Sequence, residues 1–268
     1  MDHRIRFGSQ SYTWFMSYDK YFGKVPHMLD IVARSKFEGI EFTTNILGEY
    51  IDPAKLKEAL HASGTPLAAI AISLPWLSDA ETDDEFEEIK RVIELVSAFP
   101  ETLLMLGQKP VGDRDNLYAK QKKQINIVNG IAKRASEKDI TVAYHTNSQV
   151  NSLFRTQEEY YILAELLDER FIGLALDAGH MAYGGCDVPG MFIDLASKIK
   201  HVHYKDMKSN LTWTPMGEGI IDFRAITKSL RDSGYYGWIM VEDESPEAEI
   251  NPDDVTFRNG EYVNKYLG

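Results

Sequence analysis

Carboxylates and imidazoles gather at the ends of three short apolar runs in the second half of the chain. The runs are Leu176-Asp177-Ala178-Gly179-His180, His201-Val202-His203-Tyr204-Lys205-Asp206 and Met240-Val241-Glu242-Asp243-Glu244. His145 ends a fourth run, and Glu41 lies in a fifth. One or two imidazoles with two carboxylates make a ligand set for a divalent cation such as Mn²⁺, Mg²⁺, Co²⁺ or Zn²⁺. With Cys186 as the single cysteine, mixed nitrogen and oxygen ligation points away from a structural zinc centre. The plainer alternative is that each group makes an ordinary hydrogen bond or ion pair. That alternative is even with the functional one for any single residue, but weak for several residues at matching strand ends.

Such groups meet only if the chain brings those ends together. Short β-branched or apolar runs alternate with longer segments of helical period, the pattern of βα units around a parallel sheet. About eight such pairs are present, the number that closes a barrel. Strands are expected over 5–10, 39–43, 67–73, 102–107, 140–145, 172–177, 201–205 and 238–242. Helix starts are marked by Asp52 before Pro53, and by Thr82 with Glu85 and Thr156 with Glu159 at capping-box spacing. Phe86, Ile89, Val92, Ile93 and Val96 recur as one buried helix face, and 116–138 reads as another long helix. The expected fold is a (β/α)₈ TIM barrel forming a single domain over 1–268.

Strand parity sharpens the expectation, because alternate residues face opposite sides of a strand. In 172–177, Ile172, Leu174 and Leu176 oppose Gly173, Ala175 and Asp177. The same split sets Ile140, Val142 and Tyr144 against Thr141, Ala143 and His145, and Ile40 and Phe42 against Gly39, Glu41 and Thr43. Glu41, His145 and Asp177 should therefore point inward. His201, His203 and Lys205 share one face, as do Trp238, Met240, Glu242 and Glu244. The polar groups collect at strand C-termini, the face on which such barrels carry their active sites.

Composition narrows the partners. A chain of 268 residues with 44% hydrophobic content suits one α/β domain with a large core. A net charge of -12 argues against nucleic acid, whose binding needs clustered Lys and Arg. No apolar run approaches the roughly 20 residues that cross a bilayer, and the charged start Met1-Asp2-His3-Arg4 has no apolar segment after it. With one cysteine and so no internal disulfide framework, the expected location is the reducing cytoplasm.

The ordered set of motifs carries a resemblance. Ala143-Tyr144-His145-Thr146-Asn147, Leu176 to His180, His201 to Asp206, Met216-Gly217-Glu218-Gly219-Ile220-Ile221-Asp222-Phe223 and Gly237 to Glu242 together resemble the xylose-isomerase-like sugar isomerase/epimerase barrels. Inosose dehydratases and the catalytic subunit of bacterial C-glycoside deglycosidases are among the similar members. The resemblance spans nearly the whole chain and is strongest from Ile140 onward. It implies Asp177, His203 and Glu242 as ligands of one divalent metal, with Mn²⁺ first, and His180 near the substrate. Many epimerases of this family carry a glutamate at the end of the fifth strand, where this chain has His145. The inosose dehydratases and the deglycosidase subunit are similar to this chain in having a histidine there. His145 is then a general base or a neutral metal ligand, and the sequence leaves both open.

The chemistry implied is proton removal beside the carbonyl of a keto-sugar, followed by β-elimination. His145 is the first candidate for the base. Lys205 would steady an enolate oxygen or leaving group, against a plain salt bridge to Asp206 or Glu244. Glu41 would bind sugar hydroxyls or move protons, and Glu244 reads as a rim carboxylate. Tyr12, Trp14, Phe15, Trp76 and Trp213 follow strands on the same face, with Trp14 and Trp213 expected to stack on substrate. Gly217-Glu218-Gly219 lacks the setting of a dinucleotide loop, and 209–219 is the expected lid. The first substrate expected is a 3-keto-C-glycoside, cleaved by a metal-dependent lyase, with inosose-dehydratase-type loss of water close behind. The deglycosidase resemblance also implies a smaller non-identical subunit, and an oligomer is expected. A keto-sugar epimerase or isomerase is the alternative, and a non-catalytic sugar-binding barrel a more distant third.

Overall fold

A computed structural model describes residues 4–268. The charged start read in Met1, Asp2 and His3 lies outside them. Among the described residues ten strands run in chain order: β1 (Ile5–Gln10), β2 (Gly39–Thr43), β3 (Leu67–Leu74), β4 (Leu103–Gln108), β5 (Val142–His145), β6 (Ile172–Asp177), β7 (Ile199–Tyr204), β8 (Asp206–Met207), β9 (Trp213–Thr214) and β10 (Gly237–Val241). Eight of them close a barrel in the order β1-β10-β7-β6-β5-β4-β3-β2, with every neighbouring pair parallel. β8 and β9 form a small antiparallel hairpin above β7. The expected (β/α)₈ barrel is thus the observed one. Boundaries differ slightly: β5 starts at Val142 rather than Ile140, and β7 spans Ile199–Tyr204, leaving Lys205 just past its end.

Helices begin where capping chemistry places them. Asp52 accepts from the backbone N–H of Ala54 and Lys55 ahead of helix Pro53–Ser63. Thr82 and Glu85 cap reciprocally at the start of Asp83–Ser97, and Glu159 accepts from Thr156 N–H before Gln157–Leu166. No helix among the described residues is long and apolar enough to cross a membrane.

The two faces of the barrel strands differ as parity requires. Outward residues such as Ile40, Ile70, Leu104, Val142, Leu174 and Val202 join the main core with the helices. Burying each such side chain stabilises the fold by roughly 1.5–3 kcal/mol. Inside, Ala69, Ala71, Leu103, Met105, Ala143 and Ala175 form a separate cluster of mostly small residues, which leaves room for polar groups above.

One irregularity decides the register at the polar end. Between β6 and β7 the pairing jumps from Leu174↔Ile199 to Ala175↔His201, so Lys200 is an extra residue in β7. A Cβ at Gly173 would lie 2.3 Å from Lys200 Cγ and 2.6 Å from the Lys198 carbonyl, so glycine makes space for this bulge. The shift turns both His201 and His203 inward and sets His203 opposite Asp177.

Candidate metal and substrate site

Asp177 closes β6 and also caps the short helix Ala178–Tyr183, its Oδ1 accepting from His180 N–H at 2.7 Å. Oδ2 is left facing the barrel axis. Gly179 lets this helix lie against Lys205, whose carbonyl oxygen and Cβ would be 2.5 and 2.7 Å from an added Cβ. Ligating atoms of Asp177, His203 and Glu242 all lie within 4.8 Å of one another, as do those of His145, Asp177 and His180. Asp177 Oδ2 and His145 Nε2 are buried, 3.5 Å apart, and neither has a hydrogen-bond partner.

His203 is held from both sides. Its Nδ1 is 3.1 Å from Glu242 and its Nε2 is 3.2 Å from Glu41. Burial disfavours its charged form, but Glu41 and Glu242 outweigh that and lift it to about 10. Glu41, fully buried, also receives His201 Nε2 at 2.6 Å. Burial pushes its carboxyl up, yet His203 and His201 hold it down at about 2.

Lys205 is buried among acids. Its Nζ is 2.9 Å from Glu242, 3.1 Å from His180 Nε2 and 3.9 Å from Asp177, and it pairs closely with Glu244. Burial works against its charge, but Glu242, Glu244 and Asp177 keep it above the usual lysine value. Burial and Lys205 together push His180 down to about 3, so its imidazole is neutral. Glu244 is driven the other way: burial and the neighbouring Glu242, against the pull of Lys205, bring its carboxyl up to about 7.

These groups lie at the base of a cavity of about 600 Å³, lined among others by Tyr12, Phe15, His145, His180, Trp213 and Glu244. A groove of about 680 Å³ runs between helices Val25–Arg34 and Pro53–Ser63 on the outside, where no such cluster lies. His145, His180, Trp213 and Glu242 thus face one space, with Asp177, His203 and Lys205 directly behind them. Trp213 meets His180 edge-on at 5.6 Å and Tyr183 at 5.4 Å.

Four expectations need correction. Glu41 is fully buried and outside the cavity lining; its Oε2 accepts from His201 and His203, and Oε1 has no hydrogen-bond partner. Trp14 is fully buried and donates its indole N–H to Asp253 at 2.7 Å, so it packs the loop and leaves the cavity wall to Tyr12 and Phe15. The stretch 209–219 is a tied hairpin rather than a free lid. Asp206 accepts from the backbone N–H of Met207, Gly217, Gly219 and Ile221 at 2.8, 2.9, 3.0 and 3.4 Å, and Asn259 accepts from Met216 N–H. Asp206 is therefore engaged with this loop, and the salt bridge of Lys205 goes to Glu244 instead. Glu244 itself is more than a rim carboxylate. Its parity with Glu242 was the signal for that; what parity lacks is the burial that raises its carboxyl.

The chain matches the family described as xylose isomerase-like TIM barrel over residues 29–262. Among curated proteins, an inosose dehydratase of Geobacillus thermodenitrificans is 25% identical over 254 residues, covering 81% of this chain and 82% of that one. Among solved structures, the IOLI protein with a binding zinc atom superposes with a TM-score of 0.80 at 17% identity, covering 98% and 99% of the two chains. An L-ribulose 3-epimerase gives a TM-score of 0.74 at 19% identity, covering 98% and 94%. The two structural likenesses establish the fold alone.

Proposed function

This chain belongs to the xylose isomerase-like TIM barrel family, and on that footing we propose that it is a metal-dependent lyase acting on a keto-sugar or keto-cyclitol. The observation that carries the reading is the unpartnered pair His145 Nε2 and Asp177 Oδ2, set beside His203 and Glu242 at the floor of the cavity. Buried polar atoms without partners are costly, and the nitrogen and oxygen donors of Asp177, His203 and Glu242 fit a divalent cation, which leaves His145 Nε2 for a proton. Asp177, His203 and Glu242, with His145 beside them, would hold it; manganese is the first expectation, and the bound ion would supply Lewis acidity at a carbonyl oxygen.

His145, open to the cavity and backed by Asp177, takes the proton from the carbon next to the carbonyl. The C–H electron pair becomes the new double bond as the β-substituent leaves with its own bonding pair. Glu244, whose carboxyl stays protonated up to about neutral pH, supplies the proton to that leaving oxygen, and Lys205 holds Glu244 and Glu242 in place. Loss of water is the first form of the reaction, as the name of the curated relative supports.

A second reading, cleavage of a 3-keto-C-glycoside, is favoured by the cavity of about 600 Å³ with Tyr12, Phe15, Tyr183 and Trp213 on its wall. That space suits a ligand larger than one six-membered ring. The smaller second subunit goes with this reading. Incubation of the metal-loaded protein with a keto-cyclitol, a 3-keto-C-glycoside and free ketoses tests all forms. An unsaturated product is expected. Solvent deuterium in recovered ketose, with a stereoisomer and no elimination, would replace the lyase by an epimerase.

A further inference from the structure

Lys205, His180 and Ser148 form a chain of contacts that leads from the acidic cluster back into the cavity. Lys205 Nζ is 3.1 Å from His180 Nε2, and His180 Nδ1 is 2.9 Å from Ser148 Oγ. An ammonium group has three hydrogens to give and no lone pair to offer, so Nε2 must accept. An imidazole with its lone pair on Nε2 carries its proton on Nδ1, and that N–H donates to the serine oxygen. The serine oxygen thereby accepts one hydrogen bond, and its own hydrogen still needs a destination. Among the described residues it has none.

Ser148 is 4% exposed, and the little surface it retains belongs to the same cavity as His145, His180 and Glu244. The loop that carries it is pinned: Asn147 Nδ2 donates to the Gln108 carbonyl at 2.9 Å, and Ser152 Oγ donates to Asn147 Oδ1. A buried hydroxyl fixed in this way is a directed donor, because leaving it unpaired costs free energy.

We propose that Ser148 is a specificity-determining residue: its hydroxyl, oriented by Lys205 through the Nδ1–H tautomer of His180, donates to an oxygen of the bound keto-sugar. The site therefore reads a carbonyl or hydroxyl oxygen at this position. The ligand half of this assignment rests on the keto-sugar reading above; the tautomer half does not.

Two measurements test it. Nitrogen-15 spectra of the Mg²⁺-loaded protein with labelled histidine should show His180 protonated at Nδ1 and bare at Nε2; a proton on Nε2 overturns the relay. Titration calorimetry with 3-keto-glucose should show Ser148→Ala weakening binding by about tenfold, with Ser148→Thr restoring most of it, as expected for one hydrogen bond. Equal binding by wild type and Ser148→Ala, or no binding by wild type, overturns the ligand assignment. Binding of 3-keto-glucose that depends on Ser148, without any elimination product, would refute the lyase reading while leaving Ser148 in its role.

Discussion

Asp177 Oδ2 and His145 Nε2 face one another across 3.5 Å without a hydrogen bond, while the other oxygen of Asp177 is spent on the helix that carries His180. One carboxylate therefore fixes two things at once: the direction of a helix and the open side of a ligand cluster.

Divalent metal should stabilise the protein through this cluster. At a hundredfold excess over its dissociation constant a native-state ligand contributes about 2.7 kcal/mol. For a domain of this size that is roughly 5–10 °C in melting temperature. Melting curves with chelator and with Mn²⁺, Zn²⁺ or Mg²⁺ read it directly, and Asp177→Asn should abolish the shift. No shift with any of the three ions removes the metal site.

His145→Ala should lower the rate of elimination by about 10²–10⁴, the range of a lost general base. His145 lines the cavity but is only 12% exposed and packs against the rings of His180 and His203, so the variant must be checked for folding as well as turnover. Product assays on a variant with an unchanged melting temperature separate chemistry from folding. A variant that retains wild-type turnover means another group takes the proton.

Glu41→Gln should weaken metal binding about 10–100-fold, the usual effect of losing a carboxylate that orients a ligating histidine. The glutamine oxygen can still accept from His201 and His203, which share one carboxylate oxygen, but it brings no negative charge to hold them. Competition titration with a metal indicator measures it. Unchanged affinity would make Glu41 a purely structural partner.

The metal-free protein should lose stability as pH rises above neutrality. His203, lifted to about 10 despite its burial because Glu41 and Glu242 face it, keeps a proton that the unfolded chain releases near 6.5. Its stabilisation is complete below 6.5 and disappears as pH rises through about 10. His180, pushed down to about 3 by burial and by Lys205, acts in the opposite sense, and only below pH 6.5. The urea midpoint in chelator should therefore fall between about pH 7.5 and 9, and fall less in His203→Asn. A flat profile in the wild type contradicts the doubly hydrogen-bonded imidazolium.

Trp213 and Trp14 should behave differently although both follow barrel strands. Trp213→Ala removes a cavity wall and should raise KM with little loss of stability. Trp14→Phe removes the hydrogen bond to Asp253 and should cost about 0.5–1.5 kcal/mol in urea unfolding, with KM unchanged. The reverse pattern would return Trp14 to the substrate.

The sequence reveals the barrel well because strand parity is a local signal: small residues and acids alternate with branched ones in Ile172–Asp177, and the structure keeps that division. It also locates Asp177, His203 and Glu242 at matching ends. Depth along the barrel axis is what parity cannot supply. Glu41 and Glu242 both point inward, yet only Glu242 reaches the cavity: β2 runs on past Glu41 to Thr43, which lines the space, whereas Glu242 directly follows the end of β10. Trp14 escapes local reading for a different reason: its partner Asp253 comes from the far end of the chain.

Asp206, at the start of the hairpin that bears Trp213, holds the returning side of that loop through the backbone N–H groups of Gly217, Gly219 and Ile221. The entrance on that side is thereby anchored at its base, so visitors should meet a wall of set shape there and be sorted by girth before any bond is tested.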